Sequence, residues 1–278
     1  MILLVGDGAR ADVRHGIDQV EPLICELCDD VQVDMEGKAD VEKLHPALVI
    51  NFGGDGSLLR SVRRLGLHQA PVLGVNFGKF GFLAEYELPE LLVRLEDAVK
   101  GRLPTRQSLM LKVQVRHGKK REDALVLNDV VFLRAPKERM PTVHVSSGPA
   151  QIASYYGDGL VVSTPLGSTA YNLSAGGPLL HPNLDALVFT PICPHTLSIR
   201  PLVLPADRPM LIEVNQGDSV TVTIDGQGTV DLRHGDTVMI ERSEVPMTLV
   251  THPTRSYFDT LRLKFDWTRR SLSLRPRA

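Results

Sequence analysis

Ala47-Leu48-Val49-Ile50-Asn51-Phe52-Gly53-Gly54-Asp55-Gly56-Ser57-Leu58-Leu59-Arg60-Ser61-Val62 sets the fold class of this 278-residue chain. Residues 47–51 read as a short strand without polar alternation, the pattern of a strand covered on both faces. Residues 57–62 begin a helix. Between them Gly53-Gly54-Asp55-Gly56 makes a turn at the C-terminal end of the strand. Strand, glycine turn and helix, in that order, belong to a parallel α/β sheet. Reading outward, 2–5 and 71–76 are further strands, with helical patterns between them and again over 89–100.

The turn carries chemistry as well as topology. In open parallel sheets ligands bind beyond the C-terminal strand ends. Three glycines let a backbone approach a phosphate closely, and a helix N-terminus adds a favourable dipole. Asp55 is out of place in such a cradle unless it has a task. It could hold a metal ion or take a proton from an attacking hydroxyl; a tight turn with an N-capping Asp is the plainer alternative. No Lys-Ser/Thr follows, so this is not a P-loop, and the glycine spacing is not that of a dinucleotide fingerprint. Asn76-Phe77-Gly78-Lys79-Phe80-Gly81-Phe82-Leu83 follows the third strand and should neighbour the turn. Phe80 and Phe82 read equally well as core aromatics.

Past Gly101-Arg102-Leu103-Pro104 the period changes to two. Leu109, Leu111, Val113 and Val115 alternate with polar or longer side chains, which predicts a half-buried strand. Strands are expected over 125–131, 142–145, 160–163, 211–214, 220–224, 237–240 and 248–250. Turn signals at Gln216-Gly217-Asp218 and Asp225-Gly226-Gln227-Gly228 separate some of them. The region is a sandwich or compact barrel. Over 257–265 helical spacing returns, with Phe258, Leu261 and Phe265 on one face. The chain therefore divides into an α/β domain, 1–104 plus 255–278, and a β-rich, β-sandwich-like domain, 105–254, with the last helix returning to the first domain.

Within the β-rich part, Tyr155 to Pro178 reads as strand, hydroxyl-rich turn and a very short helix. Ser168 or Thr169 is placed to cap that helix, and Gly176-Gly177-Pro178 stops it. So short a helix fills little core but leaves N–H groups for a polar ligand. Together the two motifs suggest a kinase acting on a nucleotide.

Composition narrows the partners. Thirty-one basic and 33 acidic residues give a formal net charge of -2, so neither nucleic-acid nor membrane-surface binding is expected. The basic tail, Arg269-Arg270 to Arg277, reads as a solvated terminus. Three cysteines cannot form a disulfide framework. Cys25 and Cys28 read as buried thiols of an amphipathic helix, lacking the second pair a zinc site needs, and Cys193 reads as packing. His181 and His195 read as structural. Met1-Ile2-Leu3-Leu4-Val5-Gly6 is too short for a signal-peptide core or membrane span, so a cytoplasmic protein is expected.

The motifs, taken in order, resemble the NAD kinase family. The matching pieces are the glycine-aspartate turn, Gly74-Val75-Asn76 to Gly81-Phe82-Leu83, Leu127-Asn128-Asp129, the Gly157 to Pro178 stretch, Thr190-Pro191-Ile192-Cys193-Pro194-His195, and the ending Phe258 to Trp267. The resemblance implies ATP-dependent phosphorylation of the adenosine ribose 2′-hydroxyl of NAD, giving NADP. It also implies a divalent metal such as Mg2+, ligand bound between the two domains, and a homo-oligomer, dimer or tetramer. No metal-binding side chains are assigned. Asp55 becomes the general base, and Gly53, Gly54, Gly56 and Ser57 line the triphosphate side. Asn128 and Asp129 hold ribose hydroxyls; Thr169, Ala170, Tyr171 and Ser174 hold the base and nicotinamide ends. Asp158 reaches a ligand bound mainly by the neighbouring subunit, and Phe82 and Leu83 give apolar contact. Two positions depart from the family pattern. Asp129 stands where the family more often has Glu, and Leu166 stands where it often has a hydroxyl residue. A lipid kinase related to diacylglycerol kinases would share Gly53 to Gly56 and a two-domain plan, but the Thr164 to Tyr171 turn suits a nucleotide rather than an acyl chain. A phosphofructokinase-like enzyme would share Gly53 to Ser57 but would want a Thr-Ile-Asp segment soon after that turn. A non-catalytic NAD sensor has no use for Asp55.

Overall fold

The computed structural model describes residues 1–78, 81–136, 138–215 and 218–267. Expectations for Phe80, for the turn at Gln216-Gly217 and for the tail 269–277 lie outside the described residues. The chain forms two compact units. One takes 1–64, 70–106 and the described part of 249–278; the other takes 65–69 and 107–248.

The first unit opens with β1 (Ile2–Gly6), α1 (Ala11–Cys25), β2 (Val31–Asp34), α2 (Val41–Leu44), β3 (Leu48–Gly53), α3 (Asp55–Arg64) and β4 (Val72–Asn76). Then come α4 (Leu88–Val93), α5 (Leu95–Val99) and the edge strand β5 (Thr105–Ser108). The C-terminal β17 (Met247–Val250) and α7 (Tyr257–Phe265) complete it. Among the described residues its sheet has six strands in the order β2-β1-β3-β4-β17-β5. The pairs β1·β2, β1·β3, β3·β4 and β4·β17 are parallel. All six residues of β3 are buried, as a strand covered on both faces requires. α1 packs Val13, Ile17, Val20 and Ile24 into the same core as Ile50, Phe52 and Leu73.

The second unit holds β6 (Leu111–His117), β7 (Lys120–Val126), β8 (Asp129–Arg134), β9 (Thr142–Ser147), β10 (Ala150–Ser163), α6 (Tyr171–Ser174) and β11 (Ala186–Pro194). It continues with β12 (Leu202–Pro205), β13 (Met210–Val214), β14 (Ser219–Ile224), β15 (Thr229–Arg233) and β16 (Thr237–Arg242). β10 joins the layers. Its first half pairs with β9, and residues 157–163 run between β8 and β11. The alternating burial of β9, β14 and β16 turns every second side chain into one apolar core.

Several expectations need correction. Residues 248–250 form a strand, but β17 pairs with β4 in the parallel sheet, Leu249 opposite Val72. A short apolar run marks a strand without naming its sheet. The single strand expected over 125–131 is two, β7 and β8, broken at Leu127-Asn128. On α7, Phe258 is 56% exposed, whereas Leu261 is 5% exposed and Tyr257 and Phe265 are half-buried. Residues 257, 261 and 265 share a face at i, i+4, i+8, and Phe258 falls one position off it. The same offset exposes Cys25, which follows the buried Ile24 of α1; Cys28 is half-buried and Cys193 is exposed. Among the described residues no helix is long and apolar enough to cross a membrane.

Candidate active site

In the first unit, β3 delivers Gly53 and Gly54 to the turn and α3 starts at Asp55. Asp55 is anchored rather than loose. Its Oδ2 accepts the backbone N–H of Phe82 at 2.7 Å, and Oδ1 accepts those of Leu83 and Ala84 at 3.0 and 3.1 Å. A Cβ on Gly81 would lie 1.9 Å from Asp55 Oδ1, so the residue ahead of these donors has to be glycine. The two motifs that sequence reasoning placed side by side are thus joined through one carboxylate.

The glycines of the turn differ in kind. A Cβ at Gly53 would meet Ser57 Cβ at 2.7 Å, so packing alone accounts for it. Gly54 and Gly56 have open space and no left-handed φ, and nothing in the fold calls for glycine there. Ser57 is turned inward, its hydroxyl donating to Asn51 Oδ1 at 3.0 Å, a bond that Ser61 repeats at 2.9 Å. Beside the turn is a cleft of about 350 Å³ lined by Gly53, Gly54, Ser57, Arg10, Arg60 and Arg64. Arg64 is paired with Asp34 at 2.5 Å and Arg10 with Asp12. Arg60 is exposed and has no hydrogen-bond or ion-pair partner among the described residues. Leu83 is buried, and the half-buried Phe82 ring rests against Tyr257 and Phe265 with centroids 6.5 and 6.2 Å away. The expectation that Phe82 and Leu83 offer apolar contact to a ligand meets side chains already engaged in the fold.

The second unit repeats the device. Asp225 Oδ2 accepts the N–H of Leu127 at 2.9 Å, and Oδ1 accepts those of Asn128 and Asp129 at 2.7 and 3.1 Å. Asp225 itself sits at φ 48°, ahead of the left-handed Gly226. This break between β7 and β8 leaves the Asn128 side chain half-exposed and without a hydrogen-bond partner among the described residues. Asp129 is buried, with the backbone N–H of Tyr171 near its carboxyl. Burial first, and the Asp225 charge second, push its carboxyl up to about 7. Asp225 was not among the expected site residues. The signal available was an Asp ahead of two glycines in Asp225-Gly226-Gln227-Gly228, which reads locally as a turn.

The hydroxyl-rich turn is stitched to the same place. Thr164 Oγ1 donates to Leu127 O at 2.6 Å and accepts the N–H of Gly167 at 3.0 Å, and Thr164 N donates to Asn128 O. A Cβ on Gly167 would lie 2.1 Å from Asn128 O. Neither Ser168 nor Thr169 caps α6. Ser168 Oγ donates to Pro165 O and accepts the N–H of Leu180, and Thr169 Oγ1 donates back to Leu166 O. Ala170 is the N-cap, without a side-chain bond. Asn128, Asp129, Ala170, Tyr171 and Asp225 line one largely apolar cavity of about 380 Å³. Tyr171 and Ser174 are exposed, and Thr169 is half-buried. Asp158 stands apart on β10, with Arg134 Nε at 3.3 Å. Its flanking glycines have a steric cause, since a Cβ at Gly159 would lie 2.1 Å from Phe132 O and one at Gly157 2.9 Å from Ile192 O.

An α/β unit with an anchored carboxylate in a glycine turn and, in the same chain, a β-rich unit with an anchored asparagine-aspartate turn make up the plan of a two-domain kinase of small molecules. Residues 30–103 match the family model for the ATP-NAD kinase N-terminal domain, and 127–252 match that for the ATP-NAD kinase C-terminal domain. The NAD kinase of Geotalea daltonii is 41% identical over 225 residues, 80% of this chain and 79% of the relative. That of Geobacter sulfurreducens is 40% identical over the same shares. The fold is similar to yeast NADH kinase complexed with NADH, at TM-score 0.87 and 21% identity, covering 100% of this chain and 90% of that one. It is also similar to an NAD kinase from Archaeoglobus fulgidus in complex with ATP, at TM-score 0.75 and 24% identity, covering 96% and 98%. The chain belongs to the NAD kinase family.

Proposed function

We propose that this chain transfers the γ-phosphoryl group of ATP to the adenosine ribose 2′-hydroxyl of NAD, giving NADP. Membership of the family and relatives at 40–41% identity support the reaction. The single observation that carries the assignment of roles is the anchoring of Asp55 by three N–H groups at the mouth of the glycine turn. A fixed carboxylate is suited to orienting the attacking hydroxyl and accepting its proton. The cleft beside the turn, with glycines at 54 and 56 that the fold does not require and an unpaired Arg60, suits the phosphates of the donor. Asn128 and Asp129 hold ribose hydroxyls. Ala170 and Tyr171, on the same cavity, and Thr169 and Ser174 beside them hold the base and nicotinamide ends. Asp158 reaches a ligand in a neighbouring subunit of a homo-oligomer.

Among the described residues no group of three or more His, Cys, Asp or Glu side chains could hold a metal ion. Mg2+ would accompany the triphosphate of the donor beside the glycine turn. When bound there it neutralises charge on the donor. Positioning and charge neutralisation supply most of the rate in such transfers. The reaction takes place in the cytoplasm.

The test is purified protein with ATP, Mg2+ and NAD, scored for NADP, with a diacylglycerol and fructose 6-phosphate as alternative acceptors. NADP formation alone is expected. Phosphorylation of either control without NADP would overturn the reading.

A further inference from the structure

We infer that the C-terminal helix α7, through the rings of Tyr257 and Phe265, is a positioning element for the Asp55 carboxylate. The inference rests on the role given to Asp55 above. All three donors to Asp55 sit on residues 82–84, which belong to neither helix nor strand. Such a segment is held by what its side chains and flanks touch.

Those contacts come largely from one stretch of chain. The Phe82 ring meets Tyr257 and Phe265 within the range where aromatic pairs attract, and Lys264 Nζ lies 5.5 Å from its centroid. Next along, the buried Glu85 carboxylate accepts the N–H of His252 at 2.8 Å, and the Arg255 guanidinium donates to Glu85 O. The Tyr86 hydroxyl donates to Thr251 O at 2.8 Å, and Arg255 reaches Glu90 at 2.8 Å. Residues 251–265 thus clasp 82–90 from ring to carboxylate. Among the described residues the segment is also held from β4 and β5: Tyr86 N donates to Gly74 O, Asn76 N donates to Tyr86 O, a Cβ on Gly74 would lie 2.7 Å from Ala84 Cα, and Arg106 lies 3.8 Å from the Glu85 carboxylate. The two backbone bonds and the Arg106 pair lie beyond the three donors, whereas at the first donor, Phe82, the ring rests on Tyr257 and Phe265 of α7. Removing the rings under Phe82 lets the donors drift. A displacement of about 1 Å at a reacting group can cost on the order of 10²-fold.

The experiment is steady-state kinetics on Tyr257→Ala, Tyr257→Phe, Asp55→Asn and the double variant Asp55→Asn with Tyr257→Ala, on the full chain. Tyr257→Ala should lower kcat by about ten- to a hundredfold with the KM for NAD nearly unchanged, and Tyr257→Phe should restore it. The double variant should be no slower than Asp55→Asn alone, because both changes remove the same group's action. A wild-type kcat in Tyr257→Ala, or losses that multiply in the double variant, would overturn the inference. Wild-type turnover in Asp55→Asn would instead overturn the reading of Asp55 itself. Phe265→Leu, which keeps apolar volume but removes a ring, gives the same comparison if Tyr257→Ala does not fold.

Discussion

The Asp225 carboxylate accepts the backbone N–H of Asp129 at 3.1 Å, so two acidic residues 96 positions apart meet at one turn. Burial and this neighbouring charge together push the Asp129 carboxyl up to about 7. In the unfolded chain the same group titrates near 4. Between those values the folded state binds more protons than the unfolded state, so this group makes stability fall as pH rises through that window. Asp129→Asn is expected to remove that slope. Its Tm should exceed that of the parent at pH 8 and approach it at pH 5, while NAD binds more weakly. Thermal denaturation across this range, with NAD titration, checks both.

Asp225→Asn should act on NAD rather than on turnover. An amide has one acceptor oxygen for three N–H donors, and a charge-assisted bond contributes about 1.5–3 kcal/mol. The expected outcome is a roughly tenfold or greater rise in the KM for NAD. Losing the charge also lowers the titration point of Asp129, so any pH dependence of NAD binding shifts to lower pH. Binding isotherms at several pH values measure it.

Asp55→Asn should lose turnover by roughly 10²–10⁴-fold, the usual worth of general-base help, with NAD affinity retained. Single-turnover kinetics beside equilibrium NAD binding separate the two quantities. Unchanged turnover would refute the assigned role.

Gly81→Ala offers a test through packing. The added methyl falls on Asp55 Oδ1, so the carboxylate or its donors must move. Overpacking of this kind costs about 1–3 kcal/mol. A lower midpoint in denaturant should therefore accompany a loss of kcat, whereas Gly54→Ala, which meets nothing within 4 Å, should leave the midpoint nearly unchanged.

Much of this was readable along the chain. The buried run of β3, its glycine turn and the start of α3 are contiguous, so local pattern suffices to place Asp55 at a strand end. Period-two alternation likewise revealed β6, β14 and β16. Pairings between distant stretches were not readable. Residues 248–250 announced a strand but not its partner β4, and Asp225 announced a turn but not the amides of 127–129. Ser168 looked like a helix cap because its sequence neighbours suited one, yet its hydroxyl bonds Pro165 and Leu180 instead.

From residue order alone came the α/β and β-rich halves, the chemistry-bearing turns and the family they resemble, because each is written in neighbours a few positions apart. Folding added the anchoring of those turns, by 82–84 for Asp55 and by Asp225 for Asn128 and Asp129. A buried carboxylate needs N–H donors, and which donors reach it depends on how remote segments pack.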